Sequence, residues 1–133
     1  MRILGIDPGT VTMGYGVVEE QEDELSLMDC GALTTSPKTP LPQRLHTLYL
    51  GLLNLIARYQ PSEIAIEEPF VAKNVRSALA VGQAIGMAMV AAAGKGIPIH
   101  QYTPTQVKQA VSSYGHSGKE QVQEMVKVQL GLP

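Results

Sequence analysis

Cysteine is almost missing: Cys30 is the only one in 133 residues. A single thiol excludes an internal disulfide and any cysteine-built zinc cluster, and it fits a reducing cytoplasm. The histidines, His46, His100 and His116, fall at no metal-ligand spacing. Long apolar runs are also wanting. The most apolar stretch, from Gly86 to Ala93, is far shorter than the ~20 residues of a membrane span, so no membrane partner is expected. Met1 leads directly into the first expected strand, so no signal peptide is expected either. There is no internal repeat and no low-complexity tract. Phe70 is the only phenylalanine, and no acidic residue follows Glu124.

What is present is ordinary in amount and uneven in placement. The length suits one domain with a proper core. The formal charge is −2, but Glu19, Glu20, Glu22, Asp23, Glu24 and Asp29 crowd six acids into one stretch without a base. Without them the chain carries ten bases against six acids, and from Phe70 onward six bases face two acids. A chain polarised in this way can present a basic face despite its acidic total.

The stretch Ile3-Leu4-Gly5-Ile6-Asp7-Pro8-Gly9-Thr10 organises the rest. An unbroken apolar run closed by Pro-Gly reads as a central strand that turns directly after Asp7. The carboxylate then stands at the strand's C-terminal end, where open α/β sheets place their chemistry. Gly14 to Val18 alternates as a second strand, Glu19–Glu24 reads as an exposed hairpin turn, and Leu25–Thr35 as a third strand. Three prolines between Ser36 and Pro42 forbid regular structure until a helix starts near Pro42. Leu41, Leu45, Leu48, Leu52, Leu55 and Tyr59 mark about five turns of amphipathic helix, ended by Gln60-Pro61. Glu63-Ile64-Ala65-Ile66-Glu67-Glu68-Pro69 repeats the opening theme. A second helix is predicted from about Val75 to Gly94. Its small residues Ala78, Gly82 and Gly86 form a smooth stripe, for packing on the domain's own sheet or for a homodimer seam. Ile97–Tyr102 reads as a fifth strand. Two capping boxes, Thr103-Pro104-Thr105-Gln106 and Ser117-Gly118-Lys119-Glu120, open two further helices. The order predicts an α/β sandwich on a mixed five-stranded sheet, its first three strands antiparallel, as in the ribonuclease H-like fold.

Asp7 and Glu67 each end a short apolar strand. If those strands are parallel neighbours, both carboxylates emerge at one sheet edge. Gly5 and Ala65 beneath them leave room for ions. Paired carboxylates repel, a divalent cation resolves the repulsion, and hard oxygen donors favour Mg²⁺ or Mn²⁺ over Zn²⁺. Acid-clamped Mg²⁺ suggests phosphoryl chemistry, with two ions about 3.5–4 Å apart flanking the phosphate. Glu68 competes with Glu67, but period two sends it to the other face, and Glu67 aligns with Ala65. A plainer reading makes Asp7 a turn former and Glu67 a surface acid.

Gly5-Ile6-Asp7-Pro8-Gly9-Thr10 with Gly14-Tyr15-Gly16-Val17 resembles the start of a RuvC-type Holliday junction resolvase. So do the segments Ala65–Phe70, Lys73–Leu79, Gly82–Gly86 and Gln106–Gln109, in the family's order and spacing over nearly the whole chain. The resemblance implies a homodimeric, Mg²⁺-dependent endonuclease that binds four-way DNA junctions. It would nick two strands of like polarity, alongside a branch-migration helicase complex in the cytoplasm. By position, Asp7 and Glu67 match the family's first two catalytic carboxylates and metal ligands. Phe70 matches an aromatic that stacks on bases where strands part, and Lys108 and Lys119 match lysines that grip DNA. Lys73 and Arg76 fall in a matched segment and join the DNA-binding set. Stacking on a platform such as Phe70 can supply ~1–3 kcal/mol per base.

One departure stands out. The family's last two metal ligands, spaced three apart on a final helix, lie beyond the end of this sequence. The expectation is a single ribonuclease H-like nuclease domain over 1–133, C-terminally incomplete and lacking its final helix, that folds but does not cleave. Two rival readings remain: a non-catalytic junction-binding module, and an actin/sugar-kinase-type ATPase half-domain, whose first phosphate loop begins similarly.

Overall fold

The computed structural model describes residues 1–68 and 74–103. Five strands, β1 (Arg2–Asp7), β2 (Thr12–Gln21), β3 (Glu24–Thr34), β4 (Glu63–Glu67) and β5 (Ile99–Tyr102), form one sheet in the order β3-β2-β1-β4-β5. The first three pair antiparallel, and β4 and β5 add on in parallel with β1. This is the mixed sheet expected from the element order. It puts the strand bearing Asp7 in the middle.

Two helices, α1 (Leu41–Tyr59) and α2 (Val75–Gly94), cover one face of the sheet. Alternation decides which residues meet them. Leu4 and Ile6 of β1, Met13 and Val17 of β2, and Ile64 and Ile66 of β4 are buried against Leu48, Leu52, Leu55 and Ile56 of α1. The opposite face carries Ile3, Gly5 and Asp7 beside Gly14 and Gly16, with Ala65 and Glu67 on the other side. Removal of the α1 leucines from water is the main stabilising term, on the order of 1.5–3 kcal/mol each.

Several expectations change in detail. The acidic segment is not all turn: β2 runs to Gln21 and β3 resumes at Glu24, so only Glu22 and Asp23 turn the chain, both at positive φ. Cross-strand pairing of Glu19 with Ser26 and Glu20 with Leu25 carries the ladder through residues of low strand propensity. A bulge between Val17 and Val18 inserts an extra residue in β3 and sets Asp29 beside Val17, on the helix-covered face. There Asp29 accepts a hydrogen bond from the Tyr59 hydroxyl of α1. The strand β5 starts at Ile99, two residues later than predicted.

The helix α2 also corrects two readings. It faces the core with Ala84, Ala88, Ala91 and Ala92, while Gly82 is exposed and a Cβ at Gly82 or Gly86 would meet nothing within 4 Å. The small-residue stripe therefore does not pack on the described part of the domain's own sheet. With 20 residues and a mean hydropathy of 1.5, α2 is long and apolar enough to cross a membrane by length and composition, contrary to the expectation that no segment is. The cause is its alanine content, which serves packing against α1 and the sheet. The two further helices predicted after Thr103 lie outside the described residues.

Candidate active site

The parallel register pairs Gly5 with Ala65 and Ile6 with Ile66. One more step along both strands sets Asp7 level with Glu67, on the face opposite the helices. Strand β5 continues the rim, with Tyr102 opposite Glu67 and the Glu68 N–H donating to the Tyr102 carbonyl at 2.7 Å. Across β1 on its other side, Asp7 pairs with Gly14, where an added Cβ would stand 3.6 Å from the Asp7 Cβ. Gly5, Gly14, Gly16 and Cys30 floor an open cleft of about 540 Å³ that reaches the Asp7 carboxylate.

The two acids feel each other. Burial pushes the Glu67 carboxyl above the ordinary carboxylate range, and the charge of Asp7 pushes it further. Asp7 is exposed and Glu67 half-buried, so the pair opens to solvent at the rim. A donor set of two hard carboxylates whose charges oppose one another suits a divalent cation such as Mg²⁺. Among the described residues no third histidine, cysteine or acid joins them.

The rim is otherwise free of negative charge from the helices. Strand β3 runs parallel to β1, so α1 starts at the same sheet edge as Asp7, and α2 starts there too, after β4. Neither helix has an acid in its first turn. Arg44 stands near the start of α1, and the exposed Arg76 at the start of α2, where the Asn74 side chain caps the Arg76 N–H at 2.9 Å. The six Cα steps from Glu68 to Asn74 can span about 20 Å at most, which bounds how far the start of α2 can lie from Glu67.

A family model described as crossover junction endodeoxyribonuclease RuvC matches residues 3–133. The chain belongs to this family. It is 57% identical over 132 residues to the crossover junction endodeoxyribonuclease RuvC of Chloroflexus aggregans, across 99% of this chain and 80% of the relative. It is 50% identical to the protein of the same name from Dehalococcoides mccartyi, with the same coverage. The structure of Thermus thermophilus RuvC in complex with a Holliday junction substrate aligns with a TM-score of 0.94 at 37% identity, over 100% of this chain and 81% of that one. The fold is the ribonuclease H-like fold of the RuvC family.

Of the residues singled out from the sequence, the structure brings Asp7 and Glu67 together and puts Arg76 at the start of α2, the helix that follows β4. Phe70, Lys73, Lys108 and Lys119 lie outside the described residues. Sequence reasoning did not single out Gly14, which bares the flank of Asp7, nor Thr10 and Arg44, which meet at 3.1 Å beside the Asp7 turn. A signal for Arg44 was available: an arginine close to the start of a helix with no acid in its first turn opposes the helix dipole.

Proposed function

We propose that this chain resolves four-way DNA junctions by metal-dependent paired nicking, with Asp7 and Glu67 as ligands of Mg²⁺, for which Mn²⁺ can substitute. The observation that carries the reading is the shared rim: two acids, far apart in sequence, brought level on adjacent parallel strands, with burial and the charge of Asp7 raising the Glu67 carboxyl. Bound Mg²⁺ would activate water and stabilise the departing 3′-oxygen. The chain's own part is to hold two carboxylates at a glycine-bared edge, so that a phosphate can approach without steric opposition. Both arginine-bearing helix starts add positive potential there, which favours a polyanion. Phe70 would stack on bases, and Lys73, Arg76, Lys108 and Lys119 would hold the backbone. An ATPase half-domain is disfavoured by the family membership.

The partners follow the same reading. A second copy of the chain would cover the outer face of α2, where Val75 is 75% and Leu79 64% exposed beside a groove of about 420 Å³ lined by Ala78, Gly82 and Gln83. Replacing Leu79 with lysine is expected to weaken self-association about tenfold or more, the loss typical of an apolar anchor, as read by sedimentation equilibrium. Unchanged association would remove α2 from the seam. A branch-migration helicase complex in the cytoplasm is the expected working partner.

The test is nicking of a synthetic four-way junction in Mg²⁺ by the complete gene product. Asp7→Asn and Glu67→Gln are each expected to lower the rate roughly a hundredfold or more, since each removes metal-borne charge stabilisation worth several kcal/mol. Retained nicking in either variant refutes the assignment of that residue.

A further inference from the structure

The turn that follows Asp7 is held from outside by Arg44 of α1. Asp7 is the last residue of β1, so the path of the chain beyond it is set by the loop from Pro8 to Val11 rather than by the ladder. Gly9 lies so near the Thr12 carbonyl that a Cβ would collide with it. Thr35 donates its hydroxyl to the Thr10 carbonyl at 2.6 Å and its N–H to the Val11 carbonyl at 2.8 Å. Arg44 completes the clamp. Its Nε donates to the Thr39 carbonyl at 2.9 Å and its Nη1 to Thr10 Oγ1 at 3.1 Å.

The helix dipole opposes Arg44, so its two hydrogen bonds are what hold it there. It sits near the positive end of α1, no acid shares that first turn, and among the described residues it has no carboxylate within ion-pair distance. A rigid fork with two of its donors fixed in place is, however, well suited to setting a loop.

We propose that Arg44 is a positioning residue for nicking. Through Thr10 it fixes the Pro8–Val11 loop, and with it the direction in which Asp7 presents its carboxylate. The inference rests on Asp7 being a metal ligand. It predicts that the guanidinium fork, not merely a positive charge, is required.

The experiment uses the complete gene product and its Arg44→Gln, Arg44→Lys, Thr10→Val and Arg44→Gln/Thr10→Val variants. Single-turnover nicking is followed across a Mg²⁺ titration, and junction affinity is read by anisotropy without divalent ions. Arg44→Gln should slow nicking about tenfold or more, as expected of a sub-ångström misplacement, and raise the Mg²⁺ midpoint. Junction affinity should change less than about threefold, one phosphate contact's worth at most. Arg44→Lys should stay well below wild type. Thr10→Val should show part of the loss, and the double variant no more than Arg44→Gln alone, because the two act through one contact. In metal-free protein, Arg44→Gln should also speed amide exchange at Thr10 to Thr12 while the melting temperature holds. Wild-type rate and Mg²⁺ midpoint in Arg44→Gln or Arg44→Lys, or losses that add in the double variant, would overturn the proposal. Should Arg44→Gln fail to fold, Arg44→Lys and Thr10→Val decide it. Asp7→Asn separates the two levels. Inactive Asp7→Asn with intact Arg44→Gln overturns the positioning role alone, whereas active Asp7→Asn overturns the metal-ligand reading and the role built on it.

Discussion

Asp29 shows how one side chain can tie the sheet to a helix. It accepts hydrogen bonds from Tyr59 and is approached by Tyr15, whose hydroxyl lies over Gly31, where an added Cβ would stand 2.9 Å from it. The Tyr59 hydrogen bond holds the Asp29 carboxyl below the ordinary carboxylate range, with help from the Cys30 backbone N–H and the Arg58 charge. A depressed folded-state pKa contributes stability above the unfolded pKa, and that contribution is lost as pH falls through the lower, folded one. Asp29→Asn or Tyr59→Phe should therefore flatten the acid limb of the stability curve measured by denaturant unfolding. An unchanged acid limb would show that the contact contributes nothing. Asp7 and Glu67 were legible in the sequence because each pairs a strand pattern with an abrupt Pro-marked end. Asp29 was not, and Arg44 was marked only by opposing the dipole of its own helix. Their meaning comes from neighbours 30 and 34 residues away, which no local pattern encodes.

At the scale of elements, the β2–β3 hairpin is tighter than its acids suggest. Glu22 and Asp23 turn the chain with φ of 52° and 66°, a conformation that L-residues other than Asn, Asp and Gly resist. Replacing them with Asn-Gly should stabilise the protein by about 1 kcal/mol, as read from thermal melts, because this pair suits a turn with both φ positive. A lower melting temperature would mean the acids are held by contacts beyond the turn. The helix spans were legible from periodicity, and α1 buries Leu48, Leu52, Leu55 and Tyr59 as the repeat required. The outward turn of Ala78, Gly82 and Gly86 was not. A helix rich in small residues has two smooth sides, and only its packing partners choose between them. Here the buried alanines took the core side.

For the whole molecule, chain order and strand direction do the functional work. A parallel β1–β4 pair at the centre of the sheet places Asp7 and Glu67 at one edge, and the connections place both described helix starts there as well. Half of the sequence's acids lie on the β2–β3 hairpin, whose turn is at the opposite edge, and neither helix start adds an acid to the edge that carries Asp7, Glu67 and Glu68. The fold and the pair could be read from element order. The basic residues after Phe70 could be read only as a list, since their positions depend on tertiary placement.

The most direct measurement is the titration of the Glu67 side-chain carboxyl by ¹³C NMR, in wild type and Asp7→Asn, with and without Mg²⁺. In metal-free wild type the carboxyl should titrate above the ordinary glutamate range, raised by burial and by Asp7. It should move down in Asp7→Asn, and down again in wild type when Mg²⁺ is added. A Glu67 titration that responds to neither the substitution nor the ion would contradict a shared carboxylate site at this rim.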